Sequence, residues 1–163
     1  MQPDNEVTSR ILAALAQAPP RLQAATRDLT AASLTSRTEA EPWSVLDILT
    51  HLRACSDCWG ASIVAMINED NPTMRYQSPR GWMKKPTYRD AEFAVALAAF
   101  VQERQALIGT LTVLQAADWL RPGTFTGTSP RNRDQTVLSF AARIVDHEGP
   151  HLAQVEKLVA EHG

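Results

Sequence analysis

The sequence predicts an all-α protein, a four-helix bundle, on three observations. Four stretches carry apolar residues at the i, i+3, i+4 spacing of helices with one buried face. The period-2 alternation of half-buried strands is scarce. At 163 residues the chain is the size of one domain, so residues 1–163 are expected to fold as a single helical bundle around one core.

The first helix is predicted from Asp4, its cap, to Leu29, with Val7, Ile11, Leu15, Leu22 and Leu29 on the inner face. Pro19-Pro20 predicts a kink or break near Ala18, because proline removes a backbone donor and restricts the residue before it. Thr30 to Pro42 has no period and reads as a connection. Trp43-Ser44-Val45-Leu46-Asp47-Ile48 then has the layout of a helix start. Ser44 is the N-cap, Asp47 the capping-box partner, and Trp43 is placed to staple onto Ile48. The stripe of this second helix is Ile48, Leu52, Cys55, Trp59, Ile63 and Met66, with His51 along its edge.

Asn68 to Pro86, punctuated by Pro72, Pro79, Gly81 and Pro86, is predicted as a long loop with its own packing. Thr87 and Asp90 are expected to cap a third helix with Phe93, Leu97, Phe100, Arg104, Leu107, Leu111 and Leu114 inward, Arg104 being the one charge in the stripe. Gln115 to Arg133 is irregular, with Trp119 and Phe125 available to cover a bundle end. A fourth helix starts at Asn132 or Asp134 and turns Val137, Phe140, Ile144, His147, His151, Val155 and Leu158 inward. The connections between helices 2 and 3 and between helices 3 and 4 are long enough to cross the bundle, so simple up-down order does not follow.

Composition narrows the function classes. Hydrophobic residues at 44% with charged residues at 21% describe an ordinary globular chain, and no apolar run nears the roughly 20 residues of a membrane span. Sixteen basic against 18 acidic side chains, without a basic block, argue against nucleic acid as a partner. The acidic N-terminus lacks a secretion-signal layout, which predicts a cytoplasmic protein with reduced cysteines.

The chemistry concentrates in four histidines. His147 and His151 stand four apart on one helix face, where two imidazoles can grip one ion. His162 lies in the terminal tail, so His51 is the candidate third ligand by elimination. A histidine on an apolar face is more often a hydrogen-bonded core residue. Three inward imidazoles, however, are costly to bury without partners and ask for a shared explanation. A tri-histidine site that leaves positions open for water is an arrangement of catalytic zinc, and imidazole also suits nickel, copper and iron.

Trp43-Ser44 through His51-Leu52 resembles the Trp-Ser-x6-His-Leu segment of the DinB/YfiT-like metalloenzyme superfamily, and Asp146-His147 with His151 resembles its Asp-His-x-x-x-His helix. The resemblance covers nearly the whole chain. It implies a four-helix bundle binding a divalent metal (zinc, nickel or iron) through His51, His147 and His151. It also implies kinship with transferases and isomerases that use a low-molecular-weight thiol such as bacillithiol, mycothiol or glutathione. The leading expectation is therefore a metal-dependent, thiol-using S-transferase or isomerase acting on a small-molecule substrate. A metal-dependent hydrolase is the alternative, and the third reading is a non-catalytic bundle that binds a ligand or forms a homodimer.

Several residues carry a second reading. Gly149-Pro150 sits between two proposed ligands, and a proline inside a helix costs about 3 kcal/mol and predicts a kink between the imidazoles, which either re-aims His151 and weakens the site or is the geometry the site uses. Cys55 and Cys58 share a helix face with His51, but lie too far from the helix start for a redox pair and read as small hydrophobes. Asp47 is better explained as a cap than as a partner of His51. Arg104 is expected in an internal salt bridge rather than on a substrate. Glu148 is the nearest carboxylate in sequence, but it points roughly 100° away from His147 around the helix.

Overall fold

The apolar periodicity closes into four long helices joined by short elements in the computed structural model, which describes residues 5–162. In chain order these are α1 (Asn5–Thr26), α2 (Ala31–Thr35), α3 (Val45–Asn68), β1 (Thr73–Arg75), α4 (Pro79–Trp82), α5 (Pro86–Arg89), α6 (Phe93–Thr112), β2 (Pro122–Thr126), β3 (Asp134–Thr136) and α7 (Val137–His162). Each of α1 and α3 packs against both α6 and α7, so consecutive helices α1 and α3 face one another across the bundle.

Two apolar clusters give the helix directions. One gathers Leu15 of α1, Ile63 and Met66 of α3, Leu111 of α6 and Phe140 of α7. The other gathers Leu22, Ile48, Leu52, Phe100 and Val155 of the same helices. Helices α1 and α7 pass from the first cluster to the second, and α3 and α6 from the second to the first. Neighbours α3 and α6 are thus parallel, and residues 69–92 must return along the bundle before α6 can start. Three contacts pin this return to α3. The Cys58 thiol donates to the Gln77 carbonyl (3.2 Å), Arg53 to the Thr87 carbonyl (3.1 Å) and the Tyr88 hydroxyl to Asp57 (2.6 Å).

The layer between the clusters is polar. Arg104 of α6, fully buried, donates to Glu148 of α7 through both terminal nitrogens, to the Ser56 hydroxyl of α3 (3.1 Å) and to the Leu15 carbonyl of α1 (3.1 Å). Arg104 is therefore in the internal salt bridge expected of it. This layer also explains why α1 does not break at its prolines. Pro19 cannot donate to Leu15, the acceptor four residues earlier, and the Arg104 guanidinium supplies the missing bond. Ala16, the acceptor that Pro20 cannot reach, is exposed.

Other boundaries also differ from expectation. The predicted Asp4 cap lies outside the described residues. Within the Thr30–Pro42 connection, Thr30 accepts from the Ser33 N–H (3.1 Å) and starts the single turn α2. Ser44 and Asp47 form the predicted capping box. Thr87 and Asp90 do not cap α6: Pro86 opens a separate turn, Asp90 pairs with Arg89, and α6 begins after Glu92 without a side-chain cap. Residues 134–136 are a strand, and α7 starts one step later on a reciprocal pair, Ser139 N–H to Thr136 and Thr136 N–H to Ser139 (3.1 and 2.9 Å).

The small sheet is the larger surprise. Strand β2 lies between β1, parallel to it, and β3, antiparallel. It closes the end of the bundle where Phe125 stacks on Phe140 (5.0 Å) and where a Cβ on Gly123 would stand 2.8 Å from Met66. Arg121 holds the α3 C-terminus there, donating to the carbonyls of Met66 and Glu69 (both 2.8 Å).

Removing one partner of a buried ion pair strands the other, at a cost of about 3–5 kcal/mol. Arg104→Met should lose about that much in urea unfolding. Adding Glu148→Leu should recover part, and adding Pro19→Ala, which returns an N–H to Leu15, should recover more. A single variant as stable as the parent would show that the layer does not hold the helices.

Candidate metal centre

The polar layer continues toward the surface as two facing stripes of opposite direction. Helix α3 contributes His51, Cys55 and Trp59, and α7 contributes Arg143, His147 and His151, each set spaced by four and so in line along its helix. The capping box fixes where α3 begins. Asp47 accepts from the Ser44 N–H (2.8 Å) and binds Arg37 through both oxygens (2.7 Å each), which occupies it as a cap rather than as a partner of His51.

The three histidines named from the sequence meet. One ring nitrogen from each of His51, His147 and His151 lies within 4.8 Å of the other two, and the Nε2 atoms of His51 and His147 are 2.8 Å apart. The ring centroids form a nearly equilateral triangle of 5.0, 5.0 and 4.8 Å. His51 is buried, whereas His147 and His151 are half-buried and open the group to solvent. The α7 helix continues through Pro150. That proline is exposed, and the carbonyl it leaves without a donor belongs to Asp146, also exposed, so the lost bond falls on the solvent side and both rings stay on the inner face.

Each ring is held from outside the triangle. Gln154 Oε1 stands 3.0 Å from Nδ1 of His151 and, as an acceptor, fixes the proton there and leaves the Nε2 lone pair free; Gln154 in turn donates to Glu41 (2.8 Å). Trp43 stacks on His151 (6.1 Å, 7°) and meets His51 edge-on (5.0 Å), while Trp59 meets His147 edge-on (5.3 Å). Sequence reasoning read Trp43 as a helix staple and as part of the Trp-Ser-x6-His-Leu segment, not as a wall of the site, and did not single out Gln154, Glu41 or Arg143. Gln154 stands three after His151 and Arg143 four before His147, and that spacing is the signal that could have found them.

Burial pushes the pKa of His51 down to about 4, with repulsion from His147, His151 and Arg80 adding to it. Burial first and His151 second lower His147 as well. Both rings are thus neutral near pH 7 and offer lone pairs. Two imidazole nitrogens on a tetrahedral ion at about 2.1 Å stand roughly 3.4 Å apart, so this donor set fits one ion after ring movements of about 1 Å. An all-imidazole set suits zinc, nickel or iron.

The remaining candidates are otherwise engaged. Cys55 Sγ lies 3.6 Å from His51 Nε2, and burial pushes its thiol up to about 12 and that of Cys58 to about 11, so both stay protonated hydrophobes. Burial raises the Glu148 carboxyl and the Arg104 guanidinium opposes that rise. Held by Arg104, Glu148 points away from the histidines.

A four-helix bundle of mixed helix direction, with three imidazoles converging from its second and last long helices, defines the class. The chain belongs to the DinB superfamily, whose sequence profile matches residues 14–155. Among solved structures it is similar to YfiT from Bacillus subtilis, described as "a probable metal-dependent hydrolase with an unusual four-helix bundle topology". That likeness covers 98% of this chain and 90% of the other, with a TM-score of 0.82 at 18% identity, and establishes the fold. No curated protein matches the chain. Among the described residues, no helix is long and apolar enough to cross a membrane.

The depressed imidazoles tie stability to pH. Below the ordinary histidine value of about 6.5 the unfolded chain takes up protons that folded His51 and His147 resist, so stability present above that pH is lost as the pH falls toward about 4. Urea midpoints of EDTA-treated protein should drop across this window, and the drop should shrink in His51→Gln. An equal drop in the variant would place the acid lability elsewhere.

Proposed function

We propose that the chain is a metal-dependent hydrolase in which His51, His147 and His151 hold one divalent ion. The observation that carries this reading is the convergence of three imidazole nitrogens within 4.8 Å, with the neighbouring Glu148 carboxylate held by Arg104 in the buried layer. A bound divalent ion of this kind supplies Lewis acidity and brings the pKa of a water toward neutrality. The protein's own residues prepare that chemistry. Gln154 and Glu41 orient His151, Trp43 and Trp59 wall the rings, and the buried face of His51 keeps water away from one side.

The description of YfiT favours hydrolysis, whereas no residue of the site selects a thiol over water. Transfer or isomerisation with a low-molecular-weight thiol would use the same three ligands. The 2.8 Å contact between His51 and His147 is the one feature a metal-free bundle would also explain, as an imidazole–imidazole hydrogen bond.

Purified protein should contain close to one equivalent of zinc, nickel or iron by elemental analysis. His51→Ala and His147→Ala should each drop to near zero, and hydrolysis across a panel of ester and amide substrates should vanish with the metal. Substoichiometric metal that the substitutions leave unchanged would overturn the assignment.

A further inference from the structure

The α7 stripe that carries His147 and His151 begins one turn earlier with Arg143, a cation for which the proposed metal site has no use. Its guanidinium lies 5.0 Å from the Phe140 ring and 5.9 Å from the Trp59 ring, and Trp59 is the residue whose edge meets His147. Arg143 is half-buried, and its hydrogen bond goes to a neutral group, Asn132 Oδ1 (3.1 Å). Among the described residues no carboxylate pairs with it. Every other partly buried or buried arginine engaged with a neighbouring chain segment has a clear occupation. Arg53 binds Glu103, Arg104 binds Glu148, and Arg121 caps a helix end through two carbonyls.

Trp59 adds a second unused donor. Its indole Nε1 is buried and has no acceptor, although a buried N–H without a partner is costly enough that most find one. Arg80, exposed on α4 and also without a carboxylate partner, adds positive potential at His51. The Trp59 side of the histidines therefore holds a guanidinium with no carboxylate paired to it beside an indole N–H with no acceptor.

We propose that this site takes substrates bearing an oxyanion, a carboxylate or a phosphate, and that Arg143 binds that group one helical turn from His147. A guanidinium presents five donors in a planar fork that matches both groups, and Arg143 spends one of its terminal nitrogens on Asn132. Trp59 forms the floor between anchor and reaction centre. The substrate class rests on the metal reading, but the binding role of Arg143 is measurable apart from it.

Calorimetric titration of the full chain with inorganic phosphate and with malonate, with zinc loaded and after EDTA treatment, tests the inference. The zinc content of each sample is measured in parallel. Parent protein should bind at least one of the two anions, whichever binds more tightly naming the group. Arg143→Gln should weaken that binding about tenfold or more while zinc stays at one equivalent. Arg143→Lys, which keeps the charge and the stem over the rings, should lose less, and Trp59→Phe should lose a few-fold. Circular dichroism checks that each variant folds, and if Arg143→Gln does not, the lysine variant carries the comparison. Anion binding unchanged in the arginine variants, or absent in the parent under both conditions, overturns the proposal. If the parent takes up no zinc, the metal reading fails, and the EDTA-treated series alone decides the role of Arg143.

Discussion

One guanidinium ties the four long helices together. Arg104 leaves α6 and meets a carbonyl of α1, a hydroxyl of α3 and a carboxylate of α7, so each of the other helices contributes one group to it. A charge this deeply buried is tolerated only with such partners, and each partner is itself a buried polar group in need of a donor. The layer separates two apolar clusters that could otherwise slide past one another, because apolar contacts carry no direction and hydrogen bonds do. Helix register around the centre of the bundle follows from it, and with the register, the height at which His51 and the pair His147 and His151 face each other.

The histidine group is the outward continuation of this layer. Glu148 and His147 are adjacent in sequence and point about 100° apart around α7, one into the arginine layer and the other into the triangle. Fixing the carboxylate also fixes the imidazole beside it. The same division separates charge from ligand: Glu148 is neutralised inside by Arg104, and the imidazoles face the triangle. A bound ion would keep its positive charge undiluted there, a condition that favours acidified water and anionic partners alike.

Much of this was legible in the sequence, for reasons of length and periodicity. Four helices of 20 or more residues repeat their apolar spacing often enough to be read, and the histidine pair announces itself by spacing. His51 was reachable because the chain has only four histidines. The strands were not legible, since three- to five-residue segments show no lasting alternation, and β1 owes its pairing to residues about 50 positions away. The continuity of α1 was hidden for a different reason. A local rule says that Pro19 breaks a helix, and what overrides it is a donor 89 residues away. Pro150 escaped its rule because the lost bond faces solvent. The helix directions were equally out of reach, because they depend on where the crossover of residues 69–92 is pinned.

His51 and His147 are separated by 96 positions, and the remaining two members of the triangle arrive with the last helix. During synthesis the first ligand is made early and waits for most of the chain before its partners exist. A partial bundle lacking α7 has neither the carboxylate for Arg104 nor the second and third imidazoles, so it is incomplete in its charge balance and in its site at the same moment. A ligand gripped by both helices would act as a clasp across the 96 positions between His51 and His147, stabilising the fold by an amount that grows with the logarithm of its concentration relative to its dissociation constant.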